Sequence, residues 1–176
     1  MRAMHNDSLG AMDAGEALDR PLFEPSMRAT GRLFQALMAQ DMDKLRLSYH
    51  DAISFSSPVF PDLRREMVMS GWQYMLEDIK DLRLEYEVLY ADERKVQVAW
   101  RCQYQKASRS VRFKGISTMS LWDDQIVRQV DEWNFSQWAR RHFGLKGILL
   151  SWSRAFQRHC QQLALDALHS RSTGYR

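Results

Sequence analysis

Along the chain, apolar residues recur first at helical spacing, then mostly at every second position, and finally at helical spacing again. Residues 1–26 carry small and polar side chains with no sustained period, which predicts a flexible leader. From residue 27, Leu33, Phe34, Leu37, Met38 and Leu45 follow a helical rhythm, and Asp41 stands where it would cap a second, short helix. Ile53, Phe55 and Ser57 then alternate with their neighbours up to Pro58, which predicts a half-buried strand stopped by a residue that lacks an N–H donor. A turn-rich stretch over 58–65 leads into a third helix with Val68, Trp72, Met75, Leu76 and Ile79 on one stripe.

The remainder reads as a meander of strands. Residues 84–90 alternate apolar with acidic, 91–94 form a hairpin turn, and Val96, Val98, Trp100, Cys102 and Tyr104 share one face of the next strand. After a turn at 107–110, Val111 and Phe113 start on one parity while Ile116, Thr118 and Trp122 continue on the other, so Gly115 is expected to bulge and bend the sheet. Asp123 and Asp124 turn the chain into a last strand over 126–133. Helices are expected over 135–143, closed by Gly144, and over 145–168. This order predicts an α+β fold in which the early helices cover one face of a curved antiparallel sheet. The expected division is a leader at 1–26, one domain at 27–143 and a helical extension at 144–176.

Composition narrows the function classes. The chain is 45% apolar with six Trp and eight Phe, ample for one core. Its net charge of +3 comes from basic and acidic residues scattered along the sequence, so no concentrated patch, and no nucleic-acid partner, is expected. Cys102 and Cys160 are too few for a disulfide framework and read as reduced thiols of a cytoplasmic protein. No segment has the ~20 uninterrupted apolar residues of a membrane span. There is no Gly-rich phosphate loop, and His142, His159 and His169 form no metal-ligand spacing, so neither cofactor nor metal is expected. His50 and Asp51 are adjacent strand residues that face opposite sides.

The segment from Tyr49 to Pro58, the helix around Trp72, residues 81–84, and the run from Ile126 to Asn134 followed by Trp138 resemble the NTF2-like superfamily, and within it the bacterial SnoaL-like group. The resemblance covers roughly residues 29–156 and implies a cone with an apolar pocket, and a homodimer formed through the outer face of the sheet around Arg101, Gln103, Gln105 and Arg112. The superfamily includes ketosteroid isomerases, polyketide cyclases and non-enzymatic binders, so it does not fix an activity. The isomerases' general base falls on Ser57, their protonated Asp on Thr118, and the tyrosine of their first helix near Leu33 or Phe34. All three groups are therefore missing. The usual Gly before the third helix is replaced by Arg64. The Asp on the last strand of the polyketide cyclases matches Asp131.

Asp131 shares strand parity with Val127 and Trp133 and should face the cone, where desolvation would raise its pKa into a useful range for acid or base chemistry. Phe55, Ser57, Trp72, Trp100, Trp122 and Trp133 are the expected ligand-lining residues, although aromatics at such spacings also build ordinary cores. Two readings follow. One is a module binding a small hydrophobic molecule without turnover. The other is a cofactor-independent enzyme using Asp131, assisted by Thr118 or Tyr104. The stripe over 145–168 would cover the cone mouth, meet a partner subunit or lie on a membrane surface.

Overall fold

In a computed structural model, the structure describes residues 24–144 and 153–173. The leader's residues 1–23 and the predicted helical segment 145–152 lie outside the described residues. The elements in order are α1 (Glu24–Ala39), α2 (Met42–Leu47), β1 (Tyr49–Ser56), β2 (Leu63–Arg64), α3 (Glu66–Leu76), β3 (Ile79–Ala91), β4 (Lys95–Lys106), β5 (Arg109–Trp122), β6 (Gln125–Trp133), α4 (Phe135–Phe143) and α5 (Arg154–Thr173). The predicted α+β cone is what forms, with helices at both ends of the chain and an open, curved six-stranded sheet.

The sheet runs β2-β1-β6-β5-β4-β3. All neighbours are antiparallel except β1 and β6, which pair in parallel because the chain reaches the sheet's middle by the long path through β2 to β5. Two strands depart from expectation. The 58–65 stretch contains β2, which pairs with Ser54 and Phe55, and Ile79 opens β3 instead of closing α3.

The expected bulge at Gly115 is absent. The β4–β5 register is unbroken from Lys95↔Ser120 to Lys106↔Arg109, so Val111, Phe113, Gly115, Ser117, Met119 and Leu121 all share the inner face. The irregularity lies one strand further, where Ser120 faces Arg128 but Leu121 faces Ile126. The extra residue, Val127, shifts the buried side of β6 from Ile126 to Gln129 and Asp131.

The helices fill the concave face. Leu33, Phe34 and Leu37 of α1 are buried, and Phe34 stacks on Tyr86 of β3 with ring centroids 4.3 Å apart. Asp41 caps α2 by accepting from the Lys44 N–H at 3.0 Å, as its position predicts. Arg65, a non-glycine residue at φ 50°, is the N-cap of α3 and follows Arg64, the position where the resemblance implies a Gly. On the outer face, alternation in three strands brings Arg83, Arg101, Arg112 and Lys114 together with Arg141 of α4 around one groove that holds Glu85 as its only acid among the described residues. A charge distribution that is scattered along the sequence is thus concentrated in space.

Candidate functional site

Between the sheet and the helices lies a cavity of about 460 Å³, walled mainly by apolar side chains. Its size falls within the ~300–1,000 Å³ typical of small-molecule sites. Among the described lining residues, Asp131 is the only acid.

The surroundings of Asp131 are built from donor-only groups inward. Trp72 Nε1 donates to Tyr49 Oη at 2.9 Å, and Trp100 Nε1 donates to Ser117 Oγ at 2.9 Å. An indole N–H cannot accept, so each hydroxyl must send its own proton onward. Tyr49 donates to Gln129 Oε1 at 2.8 Å, which turns the amide nitrogen of Gln129 toward Asp131 Oδ1 at 2.9 Å. Ser117 donates to the same Oδ1 at 2.6 Å. Two relays, each started by a tryptophan, therefore converge on one oxygen. Ser117 reaches it because it is the register partner of Asp131, and Gln129 because it lies two residues away on the same strand face.

Burial raises the Asp131 carboxyl from 3.8 to about 6, against the opposing pull of the Ser117 and Gln129 hydrogen bonds. With Oδ1 accepting both donors, a proton taken up by the carboxyl belongs on Oδ2. The side chain can thus hold or release a proton near neutrality from one defined atom. Burial first, and the charge of Asp131 second, keep Tyr49 a phenol by pushing its pKa well above the ordinary value.

A second polar cluster lines the same cavity. Trp138 Nε1 donates to Tyr104 Oη at 3.0 Å, and Tyr104 Oη lies 2.9 Å from His142 Nδ1. Desolvation, reinforced by the nearby charges of Lys106 and Arg109, lowers His142 from 6.5 to about 4, so the ring is neutral near pH 7. When the phenol donates its proton to Nδ1, the ring's own hydrogen sits on Nε2. The apolar wall between the clusters includes Trp100, Phe113 and Trp133, in edge-to-face contacts at 5.3 and 5.4 Å. Helix α5 closes one side: Phe156, Cys160 and Ala164 line the cavity, and the Gln157 and Gln161 amides donate to the Pro58 carbonyl at 3.2 and 2.9 Å. Both cysteines line the cavity as free thiols, with Cys102 pushed by burial to about 12 and Cys160 raised.

Of the predicted lining residues, Phe55, Ser57, Trp72, Trp100 and Trp133 face the cavity along with Asp131. Three positions need correction. Trp122 ends β5 with 58% of its surface exposed and has Arg94 over its ring at 5.8 Å, away from the cavity. Thr118 points outward and accepts from Gln97, because without a bulge at Gly115 the inward hydroxyl is Ser117. Tyr104 lines the cavity but does not assist Asp131. Its register partner, Val111, is about 20 Å along β5 from Ser117, the partner of Asp131, at ~3.3 Å per residue. Ser57 is held in its own turn, accepting from the Phe60 N–H. His50 is absent from the described cavity lining, and its Nδ1 accepts from the Ala52 N–H at 3.0 Å.

Ser117, Gln129, Tyr49, Trp138 and His142 were not anticipated. Alternation from Asp131 would have pointed to Gln129, whereas Ser117 needed the strand register.

This fold and cavity place the chain among the NTF2-like cones. Residues 30–129 match the SnoaL-like domain, and the chain belongs to that family. No functionally curated protein matches it significantly. Among solved structures, it is similar to an LEH-like epoxide hydrolase of Mycobacterium tuberculosis, with a TM-score of 0.56 and 17% identity over 70% of this chain and 96% of that one. A candidate polyketide cyclase of Silicibacter sp. TM1040 has a TM-score of 0.61 and 16% identity, covering 68% and 96% of the two chains. A computationally designed 17-OHP binder has a TM-score of 0.56 and 12% identity, covering 64% and 95%. At these identities the likeness is one of fold. Among the described residues no helix is long and apolar enough to cross a membrane, and no group of three or more His, Cys, Asp or Glu could hold a metal ion.

Proposed function

We propose that this protein binds one small, mainly apolar molecule inside the cone, between Asp131 at one end and the Tyr104–His142 cluster at the other. The observation that carries this reading is a 460 Å³ apolar cavity with a single carboxyl among its described lining residues, oriented by two hydrogen-bond relays. Apolar walls supply affinity, and one well-placed polar group supplies orientation. Binding of Nile red, an uncharged apolar dye, tests it. The expected result is saturable binding at one site per chain, weakened several-fold in Trp100→Ala. Lack of saturable binding by the folded protein contradicts the reading.

A second reading, turnover by Asp131, is supported by its carboxyl at about 6. A base in this range, desolvated beside aromatic walls, is suited to removing a proton from carbon. Nitrobenzisoxazole, which opens when a base takes its ring proton, is a direct probe. If Asp131 acts as a base, opening accelerates as pH rises through about 6 and falls to the background rate in Asp131→Asn. Equal rates for the two proteins leave binding without turnover.

A further inference from the structure

The cavity is electrically lopsided. Asp131 is the only acid among its described lining residues, whereas Lys106, His142 and His159 are the basic side chains. Lys106 is the last residue of β4 and pairs with Arg109, the first residue of β5, so Lys106 lies at the strand end remote from the Ser117–Asp131 pair. None of the ion pairs among the described residues uses Lys106 or Arg109. Lys106 is half-buried, and its charge and that of Arg109 both act on His142.

The donor inventory at this end is equally one-sided. Tyr104 accepts from Trp138, and in the tautomer where the phenol donates to His142 Nδ1 the ring offers Nε2–H as a donor. Lys106 offers only donors, and Arg109 donates to the His142 carbonyl at 3.5 Å. A ligand group placed here must accept hydrogen bonds, and a negative charge on it would compensate a lysine that forms no ion pair among the described residues. The opposite end disfavours an anion, because the Asp131 carboxylate would repel it in a desolvated setting.

We infer that the cavity's ligand is an apolar carboxylate, oriented with its carboxylate at Lys106 and His142 and its apolar body toward Asp131. One ammonium and one imidazole N–H match the single charge and two oxygens of a carboxylate. This inference rests on the ligand-binding reading and narrows it to a class of compound and an orientation.

The test compares biphenylcarboxylate with biphenylcarboxamide by calorimetry, using wild-type protein and Lys106→Met. In wild type the carboxylate binds about tenfold more tightly than the amide, and that preference shrinks as salt is raised. Lys106→Met removes the preference and leaves amide affinity within about twofold. Equal affinity of the two probes for wild type, or a preference that survives in a folded Lys106→Met protein, overturns the inference while leaving apolar binding intact. If neither probe binds, the inference and the reading beneath it fall together. Should Lys106→Met fail to fold, the wild-type comparison and its salt dependence decide the matter.

Discussion

The two ends of the cavity each bury a titratable side chain, and burial acts on them in opposite senses. At one end the Asp131 carboxyl is raised to about 6, and at the other the His142 imidazole is lowered to about 4. Desolvation disfavours the charged form in both cases, so it delays ionisation of the acid and delays protonation of the base. The neighbours differ in kind. Ser117 and Gln129 donate to Asp131 and partly restore its charged form, whereas Lys106 and Arg109 oppose a charge on His142 and add to the effect of burial. The comparison teaches that one apolar cavity can hold a group that exchanges protons near neutrality beside another that serves as a fixed neutral donor.

The largest expected effect breaks the Asp131 end. Its folded pKa lies above its ordinary 3.8, so its contribution to stability is fully present below that value and is lost as pH rises through about 6. The loss amounts to about 3 kcal/mol. Asp131→Asn removes this dependence, so urea unfolding at pH 8 should find the variant more stable by about 3 kcal/mol, with the gain vanishing near pH 4. An equal offset at both pH values contradicts the assignment.

The His142 end should behave in the reverse way. Its folded pKa is depressed below 6.5, so its contribution is fully present above 6.5 and is lost as pH falls through about 4. Allowing for partial exposure, His142→Gln should recover about 2 kcal/mol of acid-side stability and leave the alkaline limb unchanged. Denaturant curves at pH 4 and pH 7.5 read the difference.

The smallest effect separates two adjacent hydroxyls. Ser117→Ala deletes a donor to the Asp131 carboxylate and should raise its titration midpoint by about one unit, whereas Thr118→Ala should leave the midpoint in place. A carboxyl-carbon NMR titration of both variants makes that comparison, and equal midpoints would remove Ser117 from the site.

The contrast between Ser117 and Thr118 also shows what the sequence conceals. The fold was legible wherever alternation was strict, as in β1, in β4 and in the pair Asp131 and Trp133 on β6. On β5 the inner face carries Gly115 and Ser117, while Ile116 and Thr118 face outward, so hydrophobicity alone assigns the parity backwards. Gly115 is required inside because a Cβ there would lie 2.5 Å from Trp100 Cζ2 and 2.7 Å from the Glu132 carbonyl oxygen. Ser117 is tolerated inside because Trp100 and Asp131 satisfy its hydroxyl. Both reasons lie in neighbouring strands and cannot be read from β5 alone. The His142 end was less legible still, since it depends on how α4 docks against the end of β4. By contrast, the apolar stripe of α5 was visible in the sequence, and the structure sets part of it against the cavity.

Direct titration of the Asp131 carboxyl, assigned by comparison with Asp131→Asn, tests the central claim that a buried acid faces an apolar binding cavity. The account predicts a midpoint near 6 that moves when Nile red fills the cone. A midpoint near 3.8 that ignores the dye would contradict it.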